Sequence, residues 1–282
     1  MTEHNSAVGS TLPTGSTASF RDFLPSRRFV RIEETILHGA FRHSSSLDVS
    51  AIRVLNWNIA KNNHDRSWIE DFHHILDRYQ PHLIFLQEVR MCATAKRVEL
   101  AEWGWSFAPN FIDAVHNSYA GVLTATKAAC VGHQAIVTQH YEPVTKTPKV
   151  SLIAEYSLTH TGKTLLTINT HLINFVELAK FQAQLHEIEQ AIALHSGAVI
   201  FSGDFNTWNR ARLMMLVQMT QRLGLIRANF PPDEAQNIKR FLLSPPLDHI
   251  FYRGLRQNYL QARVLNHINS SDHKPMIVEF CG

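Results

Sequence analysis

Cysteine is scarce in this chain. Cys92, Cys130 and Cys281 are odd in number, widely separated and without CxxC spacing, so the sequence builds neither a disulfide framework nor a structural zinc site. Long apolar runs are missing as well. Nothing approaches the roughly 18 consecutive residues of a membrane-spanning helix, and the opening "MTEHNSAVGSTLPTGSTASF" lacks the basic-then-apolar order of a secretory signal. Nor is there an excess of one charge: Lys+Arg 27 against Asp+Glu 24 gives a formal +3, so any polyanion binding rests on a local basic patch. No HExxH or paired His/Cys spacing occurs, which disfavours zinc chemistry. What is present is a chain of 282 residues, 45% hydrophobic and 18% charged, enough for one large domain or two smaller ones. The expectation is a soluble, cytoplasmic, monomeric protein with no integral membrane association.

Composition divides the chain near residue 48. Residues 1–48 read as a flexible N-terminal tail, rich in Ser, Thr and Gly to about Phe20, followed by a docking segment, "FVRIEETILHGAF", that forms a short helix or an edge strand. Residues 49–282 read as a single domain. In it "IRVLNWN" predicts a strand, "SWIEDFHHILDRY" a helix with Trp68, Phe72, Ile75 and Tyr79 on one face, and "HLIFLQE" a buried strand. A β-rich middle follows. The cycle then repeats in outline: "TLLTINTH" as strand, "ELAKFQAQLHEIEQAIAL" as helix with Leu178, Phe181, Leu185, Ile188 and Ile192 in register, and "AVIFSGD" as strand. A helix from about Arg210 to Leu223, a turn-rich "NFPPDEAQN" and three short strands complete the domain.

The apolar strands of both cycles end in polar residues. Asn58, Glu88, His171 and Asp204 close four of them, and Asn206, Asp248, Asp272 and His273 stand at other element ends. Each alone fits a capped turn. Together, carboxylates and amides suit a hard divalent cation such as Mg²⁺, and histidines supply protons.

In this order and with these separations, "NWN", "LQEVR", "NTH", "GDFN", "LDHIF" and "SDHKP" resemble the endonuclease/exonuclease/phosphatase superfamily over about residues 50–282. Within it, the longer strings around "GDFNTW", "LDHIFYRGL" and "SSDHKPMIVEF" are similar to the bacterial YafD-type branch. The resemblance implies an α+β fold of the DNase I-like kind: a four-layer αββα sandwich of two packed, mostly antiparallel sheets flanked by helices. It also implies Mg²⁺, with Mn²⁺ as the alternative, held by Glu88 with Asn58 and Asp272 close by. Asp204 and Asn206 are expected to position and deprotonate the attacking water, Asp248 to pair with His273, and His171 to contact phosphate.

For the substrate the first expectation is nucleic acid, cut by an endonuclease or exonuclease. Arg90 is then a phosphate contact beside Asn206 and His171, and Arg210, Arg212, Lys146 and Lys149 extend a basic rim. The alternative is a phosphatase or phosphodiesterase on phospholipid headgroups, phosphoinositides or small nucleotides, which the low net charge tolerates well. An enzyme working on a membrane would need an exposed apolar hairpin, and the sequence offers no clear one. A non-catalytic binding protein on the same fold is the third reading, disfavoured because every motif position holds a competent residue type. Cys130 and Cys281 read as small core residues.

Overall fold

The computed structural model describes residues 28–32, 37–39, 46–92, 100 and 103–282; the tail expected before Phe20 lies outside them. Period-2 alternation decides the layering. In β3 (Ile52–Asn58), Leu55 and Trp57 face one way and Ile52 and Val54 the other, and both sets are buried. Such a strand has no face for water and must lie inside a layered structure. Its partner β4 (Leu83–Cys92) runs parallel to it, joined by helix α1 (Arg66–Tyr79). Trp68, Phe72 and Ile75 of α1 cover the outward set, with Trp68 stacked between Trp57 and Phe72.

A second unit has the same form. Strands β9 (Thr164–His171) and β10 (Ala198–Asp204) are parallel and joined by α2 (Leu178–Ala193). Phe181, Leu185, Ile188 and Ile192 are buried against them, together with Leu216 and Met219 of α3 (Arg210–Arg222). Leu178, expected on that buried face, is exposed because it opens the helix beyond the edge of the packed stripe.

The remaining strands complete two sheets. One carries β1 (Phe29–Arg31), β5 (Gly104–Asp113), β6 (Ser118–Thr126), β4, β3, β14 (Met276–Cys281) and β13 (Arg256–Val264) in that order, with β2 (Leu37–Gly39) also on β5. The other runs β11 (Ile226–Arg227), β12 (Asp248–Arg253), β10, β9, β8 (Val150–Ser157) and β7 (Cys130–Val137). Every strand pair outside the two helix-linked units is antiparallel. Val54, Phe85, Tyr156, Leu165, Ile200, Ile250 and Phe280 fill the space between the sheets, so the order of layers is α1, sheet, sheet, α2 with α3. This is the expected αββα sandwich, and the docking segment joins it as edge strands on β5. The turn-rich stretch adds the one-turn helix α4 (Pro232–Ala235). Cys130 departs from its expected core position, being exposed on the edge strand β7, and Cys281 is only partly buried.

Candidate active site

The inner faces of the central strands change character along their length. Apolar Val54, Phe85, Leu165 and Ile200 give way, two to six residues later, to Asn56 and Asn58, Gln87, Asn169 and His171, and Ser202 and Asp204. Because side chains alternate, all of these point between the sheets, and one end of the sandwich core is polar. Hydrogen bonds tie its floor together, though Asn56 Nδ2 and Gln87 Oε1 are buried there without a partner among the described residues. Gln87 Nε2 donates to Asn56 Oδ1 at 3.0 Å and to Asn169 Oδ1 at 2.8 Å, while Asn169 Nδ2 donates to the Leu123 carbonyl at 2.8 Å. These cross-sheet bonds link β3, β4 and β9 beneath the polar end of the core and support whatever stands above it.

Asp204 stands at its centre, opposite His171 on β9 and Asp248 on β12. Its Oδ2 accepts from Asn58 Nδ2 at 3.0 Å and its Oδ1 from the Asn206 backbone N–H at 2.9 Å. Asn206 adopts a left-handed φ of 50° and its Nδ2 donates to the Leu172 carbonyl at 2.8 Å. His171 Nε2 lies 3.6 Å and His273 Nε2 3.9 Å from Asp204 Oδ2. Behind His273, its Nδ1–H donates to Asp248 Oδ2 at 2.8 Å. The loop bearing His273 is tied to β3 by Trp57 Nε1, which donates to the His273 carbonyl at 3.0 Å, and by Ser271 Oγ, which donates to the Asn58 carbonyl at 2.7 Å.

Glu88 reaches the same place by a different device. The β4–β6 register slips between Leu86 and Val89, and Glu88 has φ 54°; a bulge of this kind turns a side chain off its regular face. Lys61 Nζ donates to Glu88 Oε2 at 2.8 Å, while Oε1 lies 4.0 Å from His171 Nε2. Lys61, Glu88, Arg90, His171, Asp204, Asn206, Asp272 and His273 line one cavity of about 560 Å³. Asn58 and Asp248 sit just behind its wall, bonded to Asp204 and His273. The Asp272 carboxylate is at the exposed rim and accepts from Lys239 Nζ at 2.9 Å.

Burial and neighbouring charge separate the protonation behaviour of these groups. Burial raises the Asp204 carboxyl, and the nearby Asp248 charge adds to that, against the opposing pull of His273. At His273 burial disfavours the imidazolium, but Asp248, Asp204 and Asp272 outweigh it and push the pKa up to about 9. His171 goes the other way: burial first, then the Lys149 charge, hold it well below the ordinary imidazole value and hence neutral. For Glu88, burial is more than offset by Lys61, His171 and Lys149, which keep its carboxyl far below the usual carboxylate range. Within one pocket the two carboxyls are thus pushed apart in pKa, and so are the two imidazoles, the arrangement that acid–base chemistry requires.

The expected basic rim needs correction. Arg212 is fully buried: its Nη1 donates to the carbonyls of Ile173 at 2.8 Å and Asn206 at 3.1 Å, and its guanidinium lies over Phe181 at 4.4 Å. It braces the loop after β10 from beneath. Lys149 does line the cavity but pairs with Glu142 at 3.4 Å. Lys61 and Glu142 escaped the sequence reading, since neither belongs to a strand-end motif; the only local sign was a lysine three residues after Asn58.

Comparison with known proteins accords with this geometry. Residues 55–273 match the endonuclease/exonuclease/phosphatase family, and the chain belongs to that family. A UPF0294 protein of Vibrio vulnificus (strain YJ016) is 33% identical over 234 residues, covering 81% of this chain and 76% of that protein. Among solved structures, the human Nocturnin catalytic domain with bound sulfate superposes with a TM-score of 0.61 at 19% identity, over 88% of this chain and 97% of that one. ANGEL2, a 2',3'-cyclic phosphatase, gives 0.60 at 13% identity over 88% and 98%.

Proposed function

We propose that this protein is a divalent-metal-dependent phosphodiesterase whose reaction centre is Asp204. The observation that carries the reading is the convergence of His171 and His273 on one Asp204 oxygen, with His273 oriented by Asp248 at 2.8 Å. Hydrolysis of a phosphodiester needs an oriented water, a base for its proton and compensation of charge on the phosphoryl oxygens. Asp204, fixed by Asn58 and Asn206 and with its basicity raised by burial, takes the proton from the water. The water oxygen bonds to phosphorus as the ester oxygen departs. The His273 imidazolium faces the charge that develops on phosphate, and neutral His171, Asn206 and Arg90 bind the remaining oxygens.

The donor set fits a hard cation, since Glu88 Oε1 is not engaged by Lys61 and the Asn58 and Asp272 oxygens are of the same hard type. Asp204, Asp248 and His273 also have atoms within 4.8 Å of one another, but an imidazolium bound through Nδ1 to Asp248 is a poor ligand, which favours Glu88. Mg²⁺ or Mn²⁺ bound at Glu88, with Asn58 and Asp272 beside it, would supply Lewis-acid neutralisation of the phosphate.

Nucleic acid is the substrate class that the motifs suggest, but a specific observation favours the second class. Among the described residues five Lys and Arg side chains line the cavity, and four of them face a carboxylate: Arg28 with Asp113, Lys61 with Glu88, Lys149 with Glu142 and Lys239 with Asp272. Polynucleotide affinity rests on many free cations. Among the described residues that leaves one lining cation outside an ion pair, Arg90, which suits a single phosphodiester on a small molecule or lipid headgroup. The YafD-type assignment, the division into a docking segment and a catalytic domain at residue 48, and action as a cytoplasmic monomer belong to the same reading and rest on the motif strings and composition. With Mg²⁺, the protein is expected to cleave bis(p-nitrophenyl) phosphate and to lose that activity in folded Asp204→Asn and His273→Ala variants. Efficient nicking of supercoiled plasmid, lost in the same variants, would return the assignment to a nuclease.

A further inference from the structure

Apolar side chains crowd the mouth of the cavity. Leu242 and Leu243 are 94% and 96% exposed and Val144 is 78% exposed, although each stands on a turn that is itself well built. Phe241 N–H donates to Ser244 Oγ at 2.8 Å and Ser244 N–H to the Phe241 carbonyl at 3.0 Å, closing a tight loop with Leu243 at a left-handed φ of 59°. Across the cavity, Glu142 N–H donates to the Thr147 carbonyl and Lys146 N–H to the Glu142 carbonyl, both at 3.0 Å, with Thr145 Oγ1 on Glu142 Oε2. These are ordered turns that present apolar residues to the outside. Val144, Phe175 and Phe241 also line the cavity, so the apolar tips and the phosphate chemistry share one opening.

Charge indicates the occupant. Lys146 and Arg240 flank the two tips, and among the described residues neither forms an ion pair with a carboxylate. Apolar tips flanked by two cations that no carboxylate neutralises, Lys146 and Arg240, the latter donating to the Ala235 carbonyl at 3.2 Å, match an anionic lipid surface, where leucines enter the acyl boundary and cations meet headgroups. We infer that the Phe241–Ser244 and Glu142–Thr147 turns dock this protein on anionic membrane surfaces, so that the cavity opens toward a phosphoester held in the lipid layer. The inference rests on the phosphodiesterase reading for what the cavity does, but not for the docking itself. It also supplies the apolar element that no sequence stretch announced, because Leu242 and Leu243 sit in a run too short to stand out.

The test is cosedimentation with vesicles of phosphatidylcholine mixed with phosphatidylglycerol, and of phosphatidylcholine alone, using the full chain and a Leu242→Ser, Leu243→Ser double variant. Both leucines are outside the reaction centre, so cleavage of bis(p-nitrophenyl) phosphate should be unchanged. The expected result is binding to the anionic vesicles that weakens with salt and falls by more than about tenfold in the double variant. No vesicle binding by the parent protein, or binding the double variant retains in full, would overturn the inference. So would a variant that loses oligonucleotide binding or self-association while its vesicle binding is unmoved. Vesicle binding by a protein that cleaves no phosphodiester would uphold the docking surface and overturn the proposed reaction; cleavage without vesicle binding would do the reverse.

Discussion

In the proposed reaction Asp204 and His273 divide the work as base and cation, and both are pushed upward from their ordinary pKa values by different causes. Burial raises the carboxyl of one, and Asp248 holds the other as an imidazolium up to about pH 9. The sign of the pH effect follows. If the imidazolium is the active form, activity falls as pH rises through about 9, and removing the Asp248 charge lets the imidazole lose its proton at lower pH. An Asp248→Asn variant should therefore show its alkaline limb displaced downward toward the ordinary imidazole range, with a rate loss of roughly 10²-fold or more below it. A pH–rate profile of the variant superimposable on the parent's would remove His273 from the charge-compensating role. At this scale the sequence was informative: Asn58, His171, Asp204, Asn206 and His273 converge as their strand-end positions suggested. Arg212 was misread because an arginine just after a loop looks exposed, whereas here three backbone carbonyls and two aromatic rings receive it.

Strand β10 shows how an element fixes the site. Val199 and Phe201 anchor it to the helices and Ile200 to the opposite sheet, so the strand has no freedom left when it reaches Asp204. Gly203 makes the last step fit. At φ 149° it lies so close to β9 that a Cβ would stand 1.9 Å from the Thr170 carbonyl oxygen. Gly203→Ala should accordingly destabilise the protein by about 2–3 kcal/mol, since neither backbone can yield without breaking the β9–β10 ladder. Urea unfolding checks this, and a midpoint equal to the parent's would show that the close approach is not rigid. Most elements were legible from apolar periodicity, including both helix-linked strand pairs. The bulge that aims Glu88 was not, because "FLQEV" alternates like any strand and the slip arises only in pairing with β6. Nor did the sequence show that Gln87, Asn56 and Asn169 would form a buried network, since partners 31 and 82 residues apart leave no local sign.

Taken whole, the molecule opens its cavity where the two sheets meet at their polar end, and residues before β3 help to wall it. Arg28 and Phe29, at the start of β1, line it, and Arg28 donates to Asp113 Oδ2 at 2.8 Å from Nη2. Burial opposes the Asp113 carboxylate, but its bonds from Arg28 and His116 depress its pKa well below the ordinary value of 3.8. A carboxylate with a depressed folded pKa adds stability that is present above the unfolded value and is lost as pH falls through the folded one. Acid below about pH 4 should therefore loosen β1, visible as faster hydrogen exchange at Phe29–Arg31. Asp113→Asn should show that faster exchange already at neutral pH, modest in size because Arg28 is partly exposed. The most direct test of the central claim is hydrolysis of bis(p-nitrophenyl) phosphate by metal-stripped protein, with Mg²⁺ or Mn²⁺ restored, beside Glu88→Gln and Asp204→Asn. The account predicts no turnover without metal, recovery on adding it, a rightward shift of the metal requirement in Glu88→Gln, and no recovery in Asp204→Asn. Turnover that survives in Asp204→Asn, or that ignores the metal, would contradict it.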